Sequence, residues 1–265
     1  MLEEKTFQTQ SGTLNYAEGP ASGRPPVLLL HGIQTNWTSF MPLISMLGLR
    51  WHIFALDFRG HGKSSWVTGQ YRIENYAQDV VEFIESAMPE PPAIFGESLG
   101  GMVGIMVAAE NPDSVRALIV GDSLLYREAV DQYLENFEGA SERQELIRSI
   151  SDIDEMAGAL EQHFAAQQGA FQRYAAKCFT KLDPDIQNRE VGEKYDCEVL
   201  LPKITCPTLL LQSALLSDDD VERALGQLSK GYAVRFPDMG HLLHLEPQGY
   251  EVVNTVSLFL ESLDT

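Results

Sequence analysis

The sequence predicts an α/β fold: a mostly parallel eight-stranded sheet flanked by helices, with a helical cap inserted after the sixth strand. Three observations lead there. Short apolar runs that end in glycine or a polar residue recur along the chain. Segments of helical length and spacing lie between them, and one long interval, 123 to 205, holds no strand-like run. With 265 residues and 44% hydrophobic content, the chain can bury a full core.

Taken in order, "KTFQTQ" and "TLNYAEG" alternate in polarity on either side of Ser11-Gly12, the pattern of an N-terminal hairpin. After Pro25-Pro26 come "VLLLHG", "HIFALDFRG", "PAIFGES", "VRALIVGD", "CPTLLLQS" and "YAVRFPDMG", whose nearly unbroken apolar character predicts buried parallel strands. Helices are expected at about 37–48, 73–87, 99–110, 218–229 and 246–263. The interval from 123 to 205 carries amphipathic stretches instead, "REAVDQYLENF", "ERQELIRSIS", "DIDEMAGALEQHFAAQQ" and "GAFQRYAAKCF". The expected organisation is therefore a core of residues 1–122 and 206–265 interrupted by a helical cap at 123–205. Tyr126, Tyr133, Phe137, Phe164, Phe171, Tyr174 and Phe179 are expected to form the packing stripe of that cap.

Composition narrows the function. A formal net charge of −19 with no basic stripe argues against nucleic acid and anionic membranes as partners. Cys178, Cys197 and Cys206 lack CxxC spacing and are odd in number, so neither a disulfide framework nor a zinc cluster is indicated. The polar, acidic N-terminus has no signal-like apolar stretch, and a soluble, cytoplasmic protein is expected.

The chemistry concentrates in four short motifs. Gly96-Glu97-Ser98-Leu99-Gly100 is G-x-S-x-G between an apolar run and a helical segment, the setting in which a tight turn exposes a serine and only glycine fits two residues to either side. His31-Gly32 ends an earlier strand. Asp57 to Ser64 reads D-x-R-G-x-G-x-S, and "FPDMGHLLHLEP" places His241 after a strand and Gly240. "GHGKS" is not a phosphate loop, because Asp57 stands where that motif needs glycine, and the first buried strand lacks G-x-G-x-x-G.

In this order and at these distances the four motifs resemble the α/β-hydrolase family over about residues 6 to 263. The resemblance implies Ser98 as nucleophile, His241 as general base, and the amides of Ile33 and Leu99 as the oxyanion hole. It implies neither a metal nor an organic cofactor, and a serine at the elbow argues against dehalogenase or epoxide-hydrolase chemistry. His31, His52, His61, His163 and His244 are read as structural.

The acid departs from the common family pattern. After "CPTLLLQ" comes Ser213 and no carboxylate until Asp218, where Ser217 looks like an N-cap and Asp218, Asp219 and Asp220 favour the helix dipole. Asp122, directly after the sixth strand, is the first choice and Asp218 the alternative. The expected protein is an esterase or lactonase acting on a small-to-medium apolar carboxylic ester or lactone, as a monomer or homodimer. The alternatives are a hydrolase or lyase of C–C bonds on the same fold, or a catalytically impaired binding relative.

Overall fold

The computed structural model describes residues 2–21, 23–136, 145, 148–160, 169–186 and 191–263. Eight strands form one sheet in the order β1-β2-β4-β3-β5-β6-β7-β8. They are β1 (Glu3–Gln8), β2 (Thr13–Glu18), β3 (Pro26–Leu30), β4 (His52–Leu56), β5 (Ala93–Glu97), β6 (Ala117–Gly121), β7 (Thr208–Gln212) and β8 (Gly231–Arg235). The β1–β2 hairpin and the β2–β4 pair are antiparallel, and the pairs from β4 to β8 are parallel.

The central strands β3, β5, β6 and β7 are buried along their whole length, which explains their unbroken apolar sequence. Alternate residues feed opposite layers. Leu28 and Leu30 join Leu118, Val120 and Leu210 under α2 (Ile73–Ala87) and α3 (Leu99–Glu110). Val27 and Leu29 join Phe95, Ile119 and Leu211 under α1 (Met41–Leu47) and the C-terminal helix, Gly249–Ser262. The loop after β4 is locked to α2 by a buried two-point pair, Arg59 Nε and Nη2 to the two Asp79 oxygens, each at 2.7 Å.

Three expectations are modified. "YAVRFPDMG" was expected to be a buried strand, but β8 is the sheet edge and is largely exposed, with Tyr232 56% accessible. The expected helix 37–48 divides into a 3-10 turn, Trp37–Phe40, capped by Asn36 Oδ1 on the Thr38 amide, and α1, with Pro42 in its first turn. Pro247 similarly holds Glu246 in an extended conformation, so the last segment becomes a 3-10 turn, Leu243–Leu245, followed by the helix from Gly249.

Between β6 and β7 the described residues include the helices α4 (Arg127–Asn136), α5 (Ile153–Leu160) and α6 (Gly169–Phe179). Met156 of α5 packs with Ala175, Ala176 and Phe179 of α6. Tyr126 and Phe179 are buried. Phe137, Phe164, His163 and the Phe171 side chain lie outside the described residues. The segment is moored to the core at Asp183, whose amide donates to Gly60 O at 2.8 Å and whose carboxylate accepts from the Tyr71 hydroxyl.

Candidate active site

Strand β5 is apolar until Glu97, and the chain then turns sharply into α3 at Ser98, which has φ 52° and ψ −114°. As the residue before a helix, Ser98 could have served as an ordinary N-cap, yet its side chain makes no capping bond. The turn explains both flanking glycines. A Cβ on Gly96 would stand 2.1 Å from Gly100 O, and one on Gly100 would stand 2.0 Å from Leu30 O. The Leu99 amide opens α3 at its positive end.

The loop after β3 approaches the same point. His31 is fully buried and bridges two backbones: Nδ1 donates to Gly32 O at 2.7 Å, while Nε2 accepts from the Phe58 amide at 3.0 Å. Burial, and then the neighbouring His61, hold its pKa well below the usual histidine value, as this neutral tautomer requires. Asp57 fastens the next turn, accepting from the amides of Trp37 (2.8 Å) and Lys63 (3.0 Å) and from Asn15 Nδ2 (2.8 Å). The D-x-R-G-x-G-x-S motif is thus scaffolding for the loop that carries Ile33.

Asp122 follows β6 with φ 37° and is fully buried. Its carboxylate accepts the amides of Ser213 (2.8 Å), Leu215 (3.0 Å to Oδ2) and Leu216 (3.2 Å), and Oδ2 lies 2.9 Å from His241 Nδ1. Burial pushes its pKa up, but the His241 hydrogen bond and charge, together with the Leu215 and Ser213 amides, outweigh that and leave it below the ordinary aspartate value. Ser213 Oγ donates to Gly240 O at 3.0 Å, so the same cradle also holds the residue before His241. Asp218, the alternative acid, is exposed; it accepts from Gln212 Nε2 at 2.6 Å and pairs with Arg235 at 3.1 Å. Ser217 caps its helix, Asp218–Gln227, by accepting from the Asp220 amide.

Among the described residues, the non-glycine residues with positive φ are Gln34, Ser98 and Asp122. All three sit in the loops just described, and strained backbone of this kind is a feature that clusters at functional sites in proteins generally. Ser98, Ile33, Leu99 and Met102 form the floor of a pocket whose walls come from Leu124, Val130, Tyr133 and Val191 of the segment after β6, and from Leu215. Among the described residues, no group of His, Cys, Asp and Glu is arranged to hold a metal.

A family model of the alpha/beta hydrolase fold matches residues 25–248. The chain belongs to the α/β-hydrolase family. It is 28% identical over 118 residues to 3-oxoadipate enol-lactonase 2 of Acinetobacter baylyi, covering 44% of each chain. It is 27% identical over 202 residues to a pimeloyl-[acyl-carrier protein] methyl ester esterase of Neisseria meningitidis, covering 70% of this chain and 73% of that protein. The crystal structure of E-2-(acetamidomethylene)succinate hydrolase superposes with a TM-score of 0.80 at 23% identity over 98% of this chain and 100% of the other, a likeness of fold. The chain spans half or less of the length of several curated relatives that it matches.

Sequence reasoning did not identify the Ser213, Leu215 and Leu216 amides, the strained Gln34, or the Glu97–His244 contact. Amides carry no residue-type signal. Glu97, however, was visible as a lone charge ending an apolar strand, and His244 as a second histidine three residues after the first.

Proposed function

We propose that this α/β hydrolase cleaves small-to-medium, uncharged apolar carboxylic esters or lactones through an acyl-enzyme, with Ser98 as nucleophile, His241 as base and Asp122 as acid. The observation that carries the reading is the strained Ser98 turn, uncapped and facing an apolar pocket beside Ile33 and Leu99. A serine held at that cost without a capping bond fits a nucleophile better than a helix start.

The proposed chemistry is acyl transfer to water. Ser98 Oγ attacks the carbonyl carbon as its proton passes to His241 Nε2, and the developing oxyanion accepts from the Ile33 and Leu99 amides. The C–O bond to the leaving alcohol then breaks, the alcohol taking the proton from His241. Water, deprotonated by His241, attacks the acyl-enzyme, and the acid product leaves with Ser98 restored to its hydroxyl form. Asp122 holds Nδ1 so that Nε2 faces the serine, and its charge stabilises the imidazolium.

The helical segment 123–205 acts as a lid, since Leu124, Val130, Tyr133 and Val191 wall the pocket over Ser98. The names of the lactonase and methyl ester esterase relatives agree with ester or lactone chemistry. A cytoplasmic monomer or homodimer that needs no cofactor completes the proposal; among the described residues, no helix is long and apolar enough to cross a membrane.

The test is a panel of short-chain chromogenic esters and lactones, with mass-spectrometric mapping of a fluorophosphonate adduct. Wild type is expected to hydrolyse members of the panel and carry the adduct on Ser98, and Ser98→Ala to lose both. Turnover at the wild-type rate in Ser98→Ala would remove the nucleophile. Cleavage of β-diketone-like ring-fission products with esters untouched would favour C–C bond hydrolysis.

A further inference from the structure

Glu97, the residue before Ser98, is fully buried at the end of a strand otherwise built of alanine, isoleucine, phenylalanine and glycine. A carboxylate in such a place is costly unless it is partnered. Its partners come from the loop that carries His241. Oε1 accepts the Leu243 amide at 3.0 Å, and Oε2 lies against Nδ1 of His244, itself 2% exposed.

Phe40 stacks on the His244 ring with centroids 4.7 Å apart, and Phe95 meets it edge-on at 6.5 Å. Phe40 ends the 3-10 turn that follows the Ile33 loop. Thus the oxyanion loop, the serine turn and the histidine loop converge on one buried carboxylate–imidazole pair.

We propose that Glu97 is a positioning residue: through Leu243 and His244 its carboxylate fixes the His241 loop relative to Ser98. This rests on the Ser98–His241 reading above. The Ser98 amide is itself held by Gly121 O at 2.9 Å, so the strained turn aims Glu97 in one direction. Leu243 is only two residues beyond His241. A shift of about 1 Å between reacting groups is enough to lower turnover by about a hundredfold. Stability alone does not call for this pair, because well-packed apolar residues commonly replace a buried charged pair without loss.

The experiment compares wild type, Glu97→Gln and the double variant Glu97→Leu/His244→Leu. Three quantities are read: melting temperature, kcat and KM on an ester that wild type hydrolyses, and the rate at which a fluorophosphonate labels Ser98. Labelling forms the Oγ–P bond, expels fluoride and passes the serine proton to His241, so it reports the Ser98–His241 placement directly.

The double variant is expected to fold and melt near wild type, yet to lose about tenfold or more in both kcat and labelling rate with KM within about twofold. Glu97→Gln is expected to recover part of the loss, because its amide oxygen still accepts from Leu243. Wild-type labelling in a folded double variant overturns the proposal, as does wild-type labelling in Glu97→Gln if the double variant does not fold. Failure of both variants to fold also overturns it, since the pair then serves stability rather than placement. If wild type itself is not labelled at Ser98, the hydrolase reading falls along with this one; normal wild-type labelling with unaffected variants removes this one alone.

Discussion

The Asp122 carboxylate lies 2.9 Å from His241 Nδ1, and three backbone amides hold it there. In Asp122→Asn the amide keeps the contact but favours the wrong imidazole tautomer and removes the charge opposite the imidazolium. Turnover is expected to fall by at least about a hundredfold with KM little changed, a loss of about 2.7 kcal/mol in transition-state stabilisation. Asp218→Asn, at an exposed carboxylate bonded to Gln212 and Arg235, is expected to leave turnover near wild type. Steady-state kinetics on the best ester checks both, and an inactive Asp218→Asn beside an active Asp122→Asn would reverse the assignment.

Stability is expected to fall with acid in a window set by the buried histidines. Burial holds the His61 pKa at about 4, below the ordinary 6.5 that applies to the unfolded chain, while a bond to Arg59 O and the charge of Asp183 pull it upward. Between those values the unfolded state binds the extra proton, so the contribution of His61 is fully present above pH 6.5 and is lost as pH falls towards 4. The loss amounts to roughly 3 kcal/mol at most. Asp122, with its lowered pKa, adds a loss only below its ordinary 3.8. Urea unfolding at stepped pH checks the window, and His61→Asn is expected to reduce the slope between 6.5 and 4, with His31, whose pKa burial also lowers, supplying the remainder.

Two glycines separate tight packing from open helix. Gly100→Ala forces a Cβ to 2.0 Å from Leu30 O and is expected to destabilise by about 3 kcal/mol or more, since backbone on both sides must move. Gly158, inside α5, has nothing within 4 Å of a built Cβ, and Gly158→Ala is expected to stabilise by about 0.5–1 kcal/mol. Thermal melts of the two variants in parallel test the contrast.

The pocket predicts a bias against charged acyl groups. Leu124, Val130, Tyr133, Val191 and Leu215 surround the space over Ser98, and none of the residues described around it is Lys or Arg. Desolvating a substrate carboxylate there without a partner costs several kcal/mol. An uncharged ester is expected to exceed the half-ester of a dicarboxylic acid of equal length by at least about a hundredfold in kcat/KM. Equal rates would show that a cation reaches the pocket.

The sheet was legible because each central strand is buried on both faces and therefore reads as an unbroken apolar run. The same signal misjudged β8, because an edge strand is exposed by its lack of a neighbour rather than by its own composition. The Ser98 turn was legible because crowding leaves glycine alone at 96 and 100. Position after the sixth strand put Asp122 ahead of Asp218, but the cradle that holds Asp122 was not legible, since it depends on where Ser213, Leu215 and Leu216 fold back, and backbone amides are the same in every residue that supplies them. Glu97 and His244 stayed hidden because their pairing joins a strand end to a loop far along the chain, as the neighbouring Leu243–Glu97 bond across 146 positions does.

The position of the helical segment sets an order of events during synthesis. Strands β1 to β6 and the Ser98 turn are complete once the chain reaches Gly121, whereas the amides that hold Asp122 belong to residues 213–216 and its imidazole partner to residue 241. At the usual speed of translation, about ten seconds separate the two halves. Closing β6 onto β7 across the intervening helices adds little entropic penalty, because doubling a loop costs only about 0.6 kcal/mol. On the proposed assignment, a nascent chain presents Ser98 long before His241 is made, and hydrolytic competence would arrive last, when the C-terminal strands dock.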